Sequence, residues 1–157
     1  MRKKIFITML FSMVMVIGLY AQNVFTFEQA AQQGKSYEYL DKLYKSAVHS
    51  DVKLAIFKTA AEQQSLQEAY VNFIKALGSY LRENKFKWDK QTRCFNRIYF
   101  AKNGKVDYFL YNFPSGEIAE EKEKEFVRLL TLFIKDQQFG LTASEPFAQC
   151  SPIKYND

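Results

Sequence analysis

From Cys94 to Phe113 the chain reads as a β-hairpin, and no other stretch constrains the fold as tightly. Cys94, Asn96, Ile98 and Phe100 alternate with Phe95, Arg97 and Tyr99, the period of two that a strand requires. Asn103-Gly104 follows, a dipeptide that tolerates the positive φ angles of a tight reversal. Beyond it Val106, Tyr108 and Leu110 alternate with Asp107, Phe109 and Tyr111. Both faces carry aromatic rings, so each is expected to be covered or to serve as a contact surface.

Upstream the period is helical, from about Phe25 to Glu83. Thr26 and Gln29 have the spacing of a capping box, which starts a first short helix. Tyr37, Leu40, Leu43, Tyr44, Ala47 and Val48 recur at threes and fours and predict a second. Between Asp51 and Thr59 the pattern fits either a strand or a helix capped by Ser50. Leu66, Ala69, Tyr70, Phe73, Ile74, Leu77, Tyr80 and Leu81 trace a third, longer helix. Gly78 inside it costs about 1 kcal/mol of propensity, which suggests room made for a close neighbour.

After the hairpin, Pro114-Ser115-Gly116 marks a turn, and a helix is predicted from Ile118 to Asp136. Glu120, Glu121 and Glu123 lie at its positive end, and Phe126, Leu129, Leu130, Phe133 and Ile134 form its apolar stripe. Phe147–Cys150 is a short closing strand that Pro152 prevents from continuing as a central one. The expected class is α+β, one domain over 22–157. Its helical part spans 25–84. Its sheet part, 88–155, reads strand, strand, helix, strand, a small antiparallel sheet backed by the helix.

The N-terminus carries a different message. Arg2, Lys3 and Lys4 precede the apolar stretch Ile5–Leu19, and the small residue Ala21 follows. This is the pattern of a secretory signal, too short for a comfortable membrane span. Cleavage after Ala21 removes three positive charges, lowering the 22 basic residues to 19 against 17 acidic ones. A near-neutral mature chain gives no reason to expect a polyanionic partner. The expected location is periplasmic or secreted, with membrane contact only through an uncleaved leader. There Cys94 and Cys150 read as a disulfide, closing a loop of about 57 residues worth roughly 4 kcal/mol. The alternative is two buried thiols on neighbouring strands.

Motifs for catalysis are absent from the sequence. His49 is the one imidazole, beside Ser50 and Asp51, and suits a solvated position. There is no glycine-rich phosphate loop, nucleophile elbow or redox pair of cysteines. The acidic run Glu117, Glu120, Glu121, Glu123 and Glu125 lacks the alternating ligands of a calcium loop. Neither a metal nor a cofactor is expected. Lys85, Lys87, Lys90, Arg93 and Arg97 surround Phe86, Trp88 and Phe95, an interleaving that can bind single-stranded nucleic acid. For an exported chain that partner is rejected, in favour of Phe86 and Trp88 joining the helical half to the sheet.

The hairpin with its Asn103-Gly104-Lys105-Val106 turn, the helix carrying Phe126–Ile134 and the closing strand resemble the C-terminal domain of TonB-type energy transducers, over residues 88–155. The resemblance implies a small sheet backed by a helix. A proline-rich spacer and the Trp-x-Pro stretch of those domains are missing, so it implies no energy-transducing role. The ending Tyr20-Ala21-Gln22 is similar to leaders of exported Bacteroidetes-type proteins. The expected function is therefore a non-catalytic binding domain. Its partner would be another envelope protein, a peptide or a glycan, with Trp88, Tyr108, Phe109 and Tyr111 as candidate contacts or core residues. The alternatives are an extracytoplasmic hydrolase using an Asp/Glu pair, or a structural component of envelope assembly.

Overall fold

The computed structural model describes residues 23–157, so the leader reading, Met1–Ala21, lies outside the described residues. The chain runs β1 (Val24–Thr26), α1 (Phe27–Gln32), α2 (Tyr37–Leu40) and β2 (Lys45–Ser46). After a 3-10 turn at Val52–Leu54 come α3 (Ala60–Glu83), β3 (Thr92–Phe100), β4 (Val106–Asn112), α4 (Glu120–Asp136) and β5 (Phe147–Tyr155). The α+β class stands. The sheet, however, has five strands in the order β1-β4-β3-β5-β2 and is mixed. Its centre is antiparallel, while β1 pairs parallel to β4 and β2 parallel to β5. Strands of three and two residues are too short to show a period, which is why both edges escaped the sequence.

Local signals explain most of the helices. The Thr26–Gln29 box forms: Thr26 Oγ1 accepts from the Gln29 N–H and Gln29 Oε1 from the Thr26 N–H. Thr59 and Glu62 repeat the device at the start of α3. Leu66, Ala69, Tyr70, Phe73, Leu77 and Leu81 bury one face of α3, and Phe126, Leu129, Leu130, Phe133 and Ile134 bury one face of α4. The second helix is shorter than its periodicity predicts. It stops at Leu40, because the Lys45 and Ala47 N–H groups donate to the Pro146 and Ala148 carbonyls. Leu43 and Val48 are left exposed. Gly78 has no close neighbour; a Cβ there would come nearest to the mobile end of Arg82, at 3.6 Å.

Register decides which side chains share a face. Ile98 stands opposite Phe109 and Gln149, and Phe100 opposite Phe147. Ile98, Phe100, Phe109 and Phe147, with Cys94, lie under α3 and α4 in the larger apolar core, and Asn96 is buried among them. A bulge alters the hairpin. Tyr99 opposes Tyr108 but Phe100 opposes Val106, leaving Asp107 unpaired. Val106 therefore joins Phe109 and Tyr111 on the helix-covered face, and the simple alternation expected of this strand fails.

The disulfide is not present. Both cysteines are free thiols, Cys94 buried and Cys150 exposed. Strand β5 does lie beside β3, but Cys94 opposes Ile153 and Cys150 opposes Arg97. Opposed residues share a face and an odd offset reverses it, so the two sulfurs sit on opposite sides of the sheet.

The turn of the hairpin is clamped by the chain after α4. The Phe139 N–H donates to the Gly104 carbonyl at 2.8 Å, and the Ala143 N–H to that of Lys102 at 2.9 Å. Gly104 has φ +83°, and a Cβ would fall 2.6 Å from the Phe139 oxygen and 2.8 Å from that of Leu141. Only glycine fits.

Candidate functional site

The four candidate contacts do not form one surface. Phe109 and Tyr111 lie under α4, and Trp88 stacks on Tyr155 at 4.6 Å with an interplanar angle of 4°. All three are buried. Trp88 also packs at 5.4 Å from Phe126, and its backbone N–H donates to Asp157 Oδ1 at 2.7 Å. Phe86 lies 4.8 Å from Trp88 and 6.2 Å from Phe126, and its backbone N–H donates to the Leu81 carbonyl, so the pair ties the end of α3 to α4 and β5. Tyr108 is half-buried on the opposite face, where Lys35 Nζ sits 5.2 Å from its ring centroid.

That second face is covered at one end only. Phe25, Ala30, Leu40, Tyr99, Leu110 and Ala148 form a small cluster there, beneath α1 and α2. Asp41, just beyond α2, is bound to the sheet by Arg97, whose Nη2 lies 2.7 Å from both carboxylate oxygens. The Tyr99 hydroxyl donates to Asp41 Oδ1 at 3.0 Å, and Arg97 Nε lies 3.0 Å from that hydroxyl. Burial raises the Tyr99 pKa, so it remains a donor at neutral pH. On the same face Tyr44 donates to Asp107, the bulged residue, at 2.9 Å.

Past this cluster the face is open. Phe95 is 38% exposed, with Phe27 at 6.0 Å, and Phe27 in turn touches Tyr37, itself 45% exposed. Pro152 opposes Phe95, and Lys154 opposes Arg93. Glu117 accepts from both the backbone and the guanidinium of Arg93, which hold its carboxyl below its ordinary value. The result is a shelf of aromatic rings and guanidinium groups on a rigid strand. Sequence reasoning separated Phe95 from Cys94 correctly by face. It had no signal that the helices would leave this end bare.

The outer edge of β5 is a poorer docking site. Pro146 and Ala148 turn their carbonyls outward to β2, so by alternation Pro152 also points its backbone away from β3. Proline has no N–H, and it occupies the middle of the unpaired stretch beside Lys154. Both guard an edge against strand addition.

Two further features bear on catalysis. A groove of about 370 Å³ holds Tyr111, Glu120, Glu123 and Lys124. Tyr111 donates to Glu123 at 2.9 Å, and Lys124 lies 2.8 Å from Glu120, whose carboxyl it holds below its ordinary value. A general acid needs the opposite shift. A larger groove, about 560 Å³ between α3 and residues 137–141, is lined by Ser65, Glu68, Asn72, Gln137 and Gln138 among others; the Ser65 hydroxyl donates to the Ala61 carbonyl at 3.1 Å and Glu68 accepts from Gln64 at 3.0 Å, so the two are engaged elsewhere. Among the described residues no group of three His, Cys, Asp or Glu side chains gathers as metal ligands. Comparison with protein-family models, curated proteins and solved structures found no match.

Proposed function

We propose that this chain is an exported, non-catalytic interaction domain that docks another envelope protein on the open half of its second sheet face. The observation that carries the reading is the exposure of Phe95 beside Phe27 and Tyr37, on a strand hydrogen-bonded on both sides. Rigid aromatic rings with guanidinium neighbours are the side chains that dominate protein contacts, because they desolvate large areas at low entropic cost. Asp41 and Arg97 already satisfy each other, so the polar part of the shelf is fixed before a partner arrives. The leader supports export, which brings the shelf into contact with envelope partners.

A photo-reactive phenylalanine analogue at position 95, activated in intact cells, tests the proposal. One discrete adduct is expected, absent when the analogue replaces Leu132 on α4 and lost when Tyr37→Ser and Arg93→Glu are added. Equal labelling from both positions, or none from position 95, overturns it.

A further inference from the structure

The segment Leu43–Leu54 combines features that a solvated loop has no reason to hold. Its neck is closed: Ala47 and Ala55 are buried, and the Ile56 and Phe57 N–H groups donate to the Ser46 and Ala47 carbonyls at 3.0 Å each. Residues 48–54 between them form a compact loop. Asp51 orders it, its Oδ1 accepting from the Lys53 N–H at 3.0 Å while its own N–H donates to His49 Nδ1. Yet Leu43, Val48, Val52 and Leu54 are exposed, four of the nine large apolar side chains exposed among the described residues. Water does not select such a tip.

Lysines gather around it. Lys42, Lys45 and Lys53 belong to the segment or adjoin it, and Lys58 follows its neck. Lys102 joins from the hairpin, since Lys45, Lys102 and Lys58 all act on the Glu145 carboxyl. Lys45 reaches it at 2.5 Å. Against these lysines stand Asp51, Glu145, Asp107, which accepts from Tyr44 of the segment, Asp41, held by Arg97, and Glu62, engaged by the Lys58 and Thr59 N–H groups.

We infer that this loop docks the protein on the surface of an anionic lipid bilayer. Val48, Val52 and Leu54 enter the acyl boundary, and the lysines meet the phosphates with their stems along the apolar zone. The chemistry favours lipid over protein. Lysine is depleted at protein interfaces, and leucine and valine are under-represented among their energetic anchors. No helix among the described residues is long and apolar enough to cross a membrane, so this contact is interfacial. It uses different residues from the Phe95 shelf and does not depend on it.

Co-sedimentation with vesicles tests the inference, using full chain from the exported fraction with its N-terminus fixed by mass spectrometry. Phosphatidylglycerol-containing vesicles should bind it at least about tenfold better than phosphatidylcholine ones, and salt should weaken the binding. Val52→Ser with Leu54→Ser should lower binding about tenfold. Lys53→Gln and Lys102→Gln should each lower it about fivefold. Circular dichroism melting checks that each variant is folded, and the lysine variants stand alone if the apolar pair is not. Failure to bind either vesicle, absence of anionic preference, or equal binding by the folded variants overturns the inference. So does loss of a protein partner in the loop variants while lipid binding is unmoved.

Discussion

The two faces of the sheet are made from the same strands, yet one is sealed and the other half bare. Over the first lie α3 and α4, of 24 and 17 residues. Over the second lie α1 and α2, of 6 and 4 residues. At 1.5 Å per residue the short helices reach about 9 and 6 Å, whereas nine-residue β3 extends about 30 Å. They cannot cover it. Coverage here is a matter of helix length more than of strand composition, since Phe95 and Phe100 sit on one strand with opposite fates. A face left open by geometry is where a partner can be met without unfolding anything.

The contrast is sharpest in its energetics. Phe126 touches the rings of Phe86, Trp88, Tyr111, Phe113 and Tyr155 on the sealed face. Phe126→Ala should lower unfolding free energy by about 3–5 kcal/mol in urea titrations, while Phe95→Ala should cost under about 1 kcal/mol. Similar losses at the two sites would break the distinction. Next in size is the clamp at the hairpin turn. Gly104→Ala must move backbone oxygens as well as adopt a strained φ, and should cost about 2 kcal/mol or more by the same measurement. A neutral result would mean the 137–143 segment does not hold the turn.

On the half-open face, Asp41→Ala removes the carboxylate that Arg97 and Tyr99 share. Arg97 and Asp41 are partly solvated, so the expected loss is about 1 kcal/mol, with faster amide exchange in α2. Thiol chemistry reads the two faces separately. Cys150 should label at neutral pH in the native state, and Cys94 only on unfolding, because burial pushes its thiol up to about 12. Equal labelling would place Cys94 on the open side.

The smallest effect is acid sensitivity at two carboxylates, Glu62 exposed and Glu117 half-buried. Hydrogen bonds from the Thr59 and Lys58 backbone lower the Glu62 pKa, and Arg93 lowers that of Glu117. Depressed folded values stabilise fully above the ordinary value of 4.5, and that contribution fades as pH falls through the folded ones. The urea midpoint should drop between pH 6 and pH 3.5, and by less in Glu62→Gln. An unchanged drop would show that these bonds do not survive in solution.

Much of this architecture could be read from residue order. Asn103-Gly104 located the hairpin turn because Gly104 takes a positive φ and Asn103 Oδ1 accepts from the Lys105 N–H. The stripes on α3 and α4 located the sealed face because burial imposes their period. The edge strands could not be read, since two or three residues cannot display alternation. The cysteine pairing failed for a related reason: register determines face, and register arose from strand partners far apart in sequence. The bulge at Asp107 is a further case, a one-residue slip invisible to a pattern of twos. Phe95 was assigned to its correct face, while its exposure depended on where two short helices end.

What the amino-acid order determined by itself was local: caps, turn chemistry, and which residues of each long helix face inward. These follow from dihedral preference and the burial of one stripe. The tertiary structure alone decided what is shared between elements: the mixed edges, the sulfurs on opposite sides, the exposed ring of Phe95 and the apolar tip at Val52–Leu54. Those depend on distances between segments remote in sequence, and such distances exist only once the chain has closed on itself.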